Sequence, residues 1–424
     1  MAQHSSDLKI RVNTIEKTID VQQNIYFSNT SSDTLYSIVL NDWNNSFSSK
    51  KSALAKRFSD EFIRSFHLAS EDDRGSTKIK NILDNNFQSL NWKRDENQVD
   101  IVEIELENPI LPNTTQKINL LYTLKLPNEK FSRYGFYDDG KLYLKNTFLF
   151  PATYENGKFI KNSNVNLDDI FNTPTDIKAL VEIPLNYSLA SNLSTIQNER
   201  KESFLKFELT GNNKKEFILI ISPTQEFTTY KNEHIEVSSS INKTRIDEIK
   251  KTLIIDKITR FVHDKIGPTN SSKILVSQED YNKQPFYGLS QLPDFLSPFS
   301  DDTLFELMFL KTYINAYLNE NLNLNHRKEN WIYDGIQMFL MMQYIEENNP
   351  ELKMMGSLSR FKLLKSYNLI NLDFNQQYNY MYMLMARKNL DQPLSEKKDR
   401  LIKFNEQISN KYKAGLTFKY LDSY

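Results

Sequence analysis

Residues 309–339 read FLKTYINAYLNENLNLNHRKENWIYDGIQMF. Apolar positions recur at helical spacing on both sides of an asparagine-rich link, so the stretch predicts a helix, a short connection and a second helix. The second helix carries one acidic residue, Asp334, near its start. How this pair is read decides the fold, because the rest of the chain divides around it.

Helical spacing extends outward from this stretch in both directions. TRIDEIKKTLIIDKITRFVHDKIG runs upstream and stops at Gly267-Pro268, a helix-ending signal. A short strand, KILVSQ, and the turn-rich PFYGLSQLPDFLSPFS come next. Downstream stand WIYDGIQMFLMMQYIEENNP, a helix near YNYMYMLMARKN and one entering the C-terminus, where the chain closes on LDSY inside helical periodicity, as a trimmed fragment would.

Before about residue 240 the period changes to that of strands. KIRVNTIEKTIDVQQNIYFSN, VDIVEIELEN, QKINLLYTLKL, KLYLKNTFLF, IKALVEIPL, FLKFELTG and EFILIISP are short runs rich in Val, Ile, Leu, Tyr and Phe, separated by NTSSD, NPILPNTT, YDDGK and TGNNKK. Such a series predicts an antiparallel sheet assembly. One helical insertion, SALAKRFSDEFIRSF, is expected to place Leu54, Phe58, Phe62 and Phe66 on one stripe. The expected fold class is α+β, with a β-rich domain over 1–240 and a mostly helical domain over 241–424.

The bulk numbers exclude several functions. Lys and Arg total 53 against 54 Asp and Glu, so no field forms that would hold nucleic acid. No apolar run approaches the roughly 20 residues that span a bilayer. Cysteine is absent, which removes disulfides, thiolate nucleophiles and cysteine-ligated zinc. The start, MAQHSSDLKI, has no basic or apolar leader; AQ is a common beginning after signal cleavage, so an exported protein whose signal peptide has been removed is one expectation.

Several segments together resemble the gluzincin aminopeptidases, the aminopeptidase N class. FPATYENGKF (150–159), IKALVEIPLNYSLASN (177–192) and EFILIISPTQEF (216–227) resemble segments of that family's saddle-shaped β domain. WIYDGIQMFLMMQYIE (331–346) resembles its W-L-N-E-G-F helix, with Trp331 and Gly335 in register. The resemblance is to a degenerate branch found in Bacteroidetes-type genomes, and it implies a thermolysin-like second domain.

That family binds zinc through H-E-x-x-H, 18 further residues and a Glu. Two imidazoles one helical turn apart grip the metal, and the intervening Glu activates its water. With Asp334 in the place of the last Glu, the two His positions fall on Lys311 and Asn315 and the base on Thr312. An ammonium has no lone pair for a cation, an amide oxygen is a poor zinc donor, and a threonine is no base near neutrality. The resemblance therefore implies no metal, no cofactor and no catalysis, with Lys311 expected to neutralise Asp334 as an ion pair.

The family's G-x-M-E-N element corresponds loosely to YGLSQLP, which makes Tyr287, Gly288, Ser290 and Gln291 candidate groove residues. A neutral Ser290 where a Glu should meet a substrate amine argues against aminopeptidase specificity. NKYKAGLTFKYL resembles the Y-x-K-G-A helix and puts Tyr412 at the oxyanion position, with Gly415 in register. Without metal or base it is read as a packing residue.

Other chemistry has less support. The five histidines, at 4, 67, 234, 263 and 326, show no pairing with one another or with an acid at metal-ligand spacing. There is no G-x-S-x-G elbow and no phosphate loop. SEDDRG reads as a solvated turn, and the methionines of FLMMQY and YMYMLMA as core. Two functions remain open: an inactive pseudopeptidase that binds a protein or peptide partner, or a zinc aminopeptidase with atypical ligands.

Overall fold

The computed structural model describes residues 4–243, 245–286, 297–360 and 371–424. The chain divides into two compact units, Met1–Glu226 and Phe227–Tyr424.

Strict alternation builds the first unit. In β1 (His4–Asn13) Leu8, Ile10 and Val12 are buried while Lys9, Arg11 and Asn13 face water. With β2 (Thr18–Ser28), β3 (Ser76–Leu83), β4 (Thr115–Lys125), β5 (Thr175–Pro184), β6 (Ser194–Arg200) and β7 (Phe204–Lys214) it forms a sheet of order β6-β7-β5-β1-β2-β4-β3. The pairings are antiparallel except β1 with β5, which is parallel. Two four-stranded sheets close the other side of the sandwich, one around Leu35–Asn41 and Gln98–Ile110, the other around Leu142–Leu144 and Leu219–Ser222. Leu8, Val21, Leu40, Ile104, Leu144 and Ile221, drawn from all three sheets, share one core. Each such side chain contributes about 2 kcal/mol by leaving water.

Across the outer face of the large sheet, cross-strand neighbours alternate in sign. Glu199 lies beside Lys206, Lys206 beside Glu182, Glu182 beside Arg11 and Arg11 beside Asp20. Opposite charges side by side stabilise a sheet, and they leave this face without a one-signed field.

The helical insertion departs from its expected stripe. Leu54, Phe58 and Phe66 are buried, but Phe62 is 85% exposed. The helix α1 (Ala53–Asp60), capped by Ser52, ends before Phe62, which takes a positive φ of 59° in the turn after it. That turn swings the aromatic ring off the stripe, and Phe66 rejoins the core from a separate helical turn, Ser65–Leu68.

Residues 227–240 belong with the second unit. There β8 (Thr228–Lys231) pairs antiparallel with β9 (Glu236–Ser239), which pairs parallel with β10 (Lys273–Val276). These pairings tie the strands to the second unit and put the division at 226/227, ahead of the change in hydrophobic period near 240. The crossover between β9 and β10 is α2 (Glu248–Ile266), capped by Asp247 and ended by Gly267 at φ 94°.

Two long helices, α3 (Asp301–Asn321) and α4 (Asn330–Asn348), fill the centre of this unit. Ser300 caps α3, and Leu304 through Ile314 are buried without interruption, so α3 is a core helix covered on all sides. Met338 joins that core with Met341 and Met342, the two methionines of FLMMQY. Of YMYMLMA, Met385 is buried and Met381 half-buried, but Met383 is 47% exposed and does not join it. The helices α5 (Gln376–Arg387) and α6 (Asn410–Asp422) pack beside them. Where α4 meets α6, both helices carry glycine: a Cβ on Gly335 would lie 2.5 Å from the Phe418 ring, and one on Gly415 would lie 2.5 Å from Met338 Cβ.

Candidate functional site

The buried face of α3 sets the site. Lys311 and Asn315 stand one turn apart on it, with Lys311 and Thr312 buried and Asn315 half-buried. Asp334, on the second turn of α4, and Lys411 and Tyr412, at the start of α6, are buried as well.

The expected pairing of Lys311 with Asp334 is replaced by another. Asp334 Oδ1 accepts from Lys411 Nζ at 2.8 Å, and its second oxygen accepts from Asn330 Nδ2. Lys311 Nζ instead donates to the main-chain oxygens of Gln284 and, at 3.3 Å, Pro285. Gln284 joins the two halves, because its side-chain oxygen accepts from Lys411 Nζ at 3.1 Å. Lys311 is thus tied off by carbonyls that end the helix Gln278–Lys283, leaving the carboxylate to the lysine beside Tyr412. Gln337 adds a further brace, donating to the Lys311 carbonyl at 2.8 Å.

This arrangement holds two ammonium groups and one carboxylate in a buried space. Burial, and after it the neighbouring Lys411, push the Lys311 pKa down to about 7, with Asp334 acting weakly in the other direction. The unfolded chain holds that proton up to pH ~10.4, so between pH 7 and 10 it binds more protons than the folded chain. Stability should therefore rise with pH across this window, by up to about 4 kcal/mol from this one group. Above pH 10 the trend reverses, since burial keeps the phenols of Tyr313, Tyr344 and Tyr378 protonated in the fold. Chemical denaturation of wild type and Lys311→Met at pH 7.0, 8.0 and 9.0 checks the slope, which the variant should lack.

The remaining positions are occupied by packing. Thr312 Oγ1 donates to its own helix at Met308 O, 2.9 Å away. The Tyr412 ring meets Tyr378 edge-on, centroids 4.8 Å apart, and is 4% exposed. Tyr287, Gly288, Ser290 and Gln291 lie outside the described residues. Lys411, Gln284, Asn330 and Gln337 were not singled out from sequence. Lys411 had one visible signal, its place next to Tyr412 in NKYKAG; the other three had none.

Histidine pairing also differs from the sequence reading. His234 and His263 stack face to face, centroids 3.8 Å apart. Sequence spacing could not show this, because the turn before β9 folds His234 back onto α2. Among the described residues, no three His, Cys, Asp or Glu side chains gather as metal ligands.

A zinc ion does not fit the donors at 311, 312, 315 and 334. Lys311 is itself a donor, Thr312 is bonded to its helix, and the one carboxylate is bonded to an ammonium and an amide.

No protein-family model matches the sequence, and no curated protein is significantly similar to it. Solved structures do match the fold. A point variant of an M1 zinc metallopeptidase from Deinococcus radiodurans superposes with a TM-score of 0.58, covering 99% of this chain and 82% of that one, at 13% identity. The fold is that of the M1 zinc metallopeptidases. The same variant with a bound Tyr-Ser-Ala substrate gives equal values. A variant described as a two-domain M1 zinc metallopeptidase bound to L-arginine gives 0.56 at 13% identity, again covering 99% and 82%. The M1-like architecture, a β-rich unit followed by a helical one, agrees with the fold class read from hydrophobic period.

Proposed function

We propose that this chain is a catalytically inactive M1-like protein, a pseudopeptidase retained as a protein- or peptide-binding or assembly module. The observation that supports it is the Lys411–Asp334 pair, with Lys311 bonded to main-chain carbonyls beside it. In the register implied by Trp331 and Gly335, these groups stand where a peptidase needs two imidazoles, a carboxylate base and an unpaired carboxylate ligand. Substituting one ligand would leave room for a different donor set. Here the two His positions and the base are all replaced, and a second lysine neutralises the surviving carboxylate.

The framework around the positions has a structural use that does not depend on catalysis. Gly335 and Gly415 let α4 and α6 approach, Trp331 stacks on Phe418, and Tyr412 packs on Tyr378. Residues retained for helix packing preserve the resemblance while the chemistry changes.

The test is elemental analysis of the purified chain, with an aminoacyl-arylamide assay in added zinc. The expected result is zinc well below one per chain and no turnover above the uncatalysed rate. Stoichiometric zinc, or turnover lost on chelation, would favour the atypical aminopeptidase instead. Recovery of a stoichiometric protein or peptide partner on affinity purification from the native host is the expected result for the binding role.

A further inference from the structure

The helix α5 is apolar on two opposite faces. Its inner face carries Tyr378, which meets Tyr412, Tyr382, whose ring lies under Lys413 Nζ, and the buried Met385. At about 100° per residue these three fall on one side of the helix, and Tyr380, Met383, Leu384 and Arg387 fall on the other. That outer side faces water: Tyr380 is 50% exposed and Leu384 39%, beside the exposed Met383. Leu390, 48% exposed, follows the turn at Asn389, φ 55°, that ends the helix.

Single exposed apolar side chains need no explanation, but large ones at i, i+3 and i+4 are neighbours and form a stripe. A helix carries such a stripe where it packs against another element. Methionine and tyrosine suit a face that meets another chain, the one by adapting its shape and the other by its large, stiff area. The stripe is also one-signed. Arg387 and Lys388 close its C-terminal end, and no Asp or Glu occurs from Gln376 to Leu390. The acids that flank this segment, Asp373 and Asp391, are bonded to Lys353 and Lys413.

We propose that the outer face of α5 docks an acidic amphipathic helix of a partner protein. The partner helix runs antiparallel, its apolar residues on Tyr380, Met383 and Leu384 and the acids of its first turn beside Arg387 and Lys388. Acidic residues are most stable in a first turn, where the helix dipole favours them, and this sets the direction. Segments of this chain lack the required charge. FKLLKSYNLI (361–370) carries two lysines and no acid, and α5 has no acid to offer a second copy of itself. The inference rests on the binding role proposed above and names the surface that performs it.

The test uses the full chain and a designed peptide of about 15 residues, near the minimum length for a helix in water. It has Leu at i, i+3, i+4 and i+7 and Glu in its first turn; a matched peptide has Lys in place of Glu. Treated with hydrogen peroxide, the free chain should oxidise at Met383 well before Met341 and Met342. The Glu peptide should protect Met383 several-fold and the Lys peptide should not, with the preference reversed in Arg387→Glu/Lys388→Glu. Leu384→Ser should weaken binding of the Glu peptide, read by fluorescence anisotropy, on the order of tenfold. Met383 as slow to oxidise as Met341 in the free chain would show the face already covered and overturn the proposal. So would equal protection by both peptides, unchanged binding in Leu384→Ser, or protection by anionic phospholipid vesicles but not by the Glu peptide. The arylamide assay on the same sample separates the two readings. Zinc-dependent turnover tells against the inactive one, and an inert chain whose Met383 ignores the Glu peptide tells against this surface alone.

Discussion

Gly415→Ala should destabilise the second unit by about 3 kcal/mol, the upper part of the usual range for an overpacked core. The added Cβ is fixed to the backbone and cannot rotate away. It would sit 2.5 Å from Met338 Cβ, 3.0 Å from Met342 Cε and 3.3 Å from the Met338 main-chain carbon. Two of those atoms are themselves fixed to α4, so relief requires α4 and α6 to separate, which opens the packing around Met338 and Met342, both 1% exposed. The helix propensity gained by alanine over glycine, about 1 kcal/mol, offsets only part of this. Thermal melting should shift down by on the order of 5–10 °C for a unit of this size. Truncating Met338 to alanine in the same chain should not rescue it, since the obstructing Cβ remains. A Gly415→Ala protein that melts with wild type would show that the helices are free to part.

The second large effect is expected at Asp334. Asp334→Ala leaves the Lys411 ammonium, 9% exposed at its side chain, without its carboxylate. Breaking a buried pair from one side typically costs 3–5 kcal/mol, because the stranded charge keeps its desolvation penalty. The change also removes a carboxylate whose field supports the Lys311 ammonium, so Lys311 should lose its proton at a lower pH than in wild type. Asp334→Asn keeps the volume and an acceptor for Asn330, and should recover a minor share. Replacing both partners, Asp334→Leu with Lys411→Met, should cost far less than the single change, since no charge is left behind. Urea denaturation of the three proteins at pH 7.5 measures the differences. If Asp334→Ala unfolds at the wild-type midpoint, the pair is not structural.

Much of the architecture could be read before any coordinates, because it rests on local period. Alternation in LKIRV set the buried and exposed faces of β1, and the 3.6-residue spacing around FLKTYIN set α3. What failed depended on the turn or on distant partners. The Leu54–Phe66 stripe assumed one helix, and a single positive φ at Phe62 broke it. The nearness of Lys311 and Asp334 was legible, for the carboxylate acts on the ammonium. Their bonding was not, because the competing acceptors at Gln284 and Pro285 and the competing donor at Lys411 come from elements whose approach no spacing records. The stacking of His234 on His263 was hidden for the same reason.

The parallel pairing of β1 with β5 governs the order in which the first unit can be assembled. Made well before β5, β1 occupies the middle of the finished sheet, with β2 on one flank and Thr175–Pro184 on the other. During synthesis at roughly 5–20 residues per second, that second flank is not available until on the order of ten seconds or more have passed. Through this interval the ribosome-bound chain presents an open strand edge with Leu8, Ile10 and Val12 beside it, so nascent-chain chaperones have most to protect at β1.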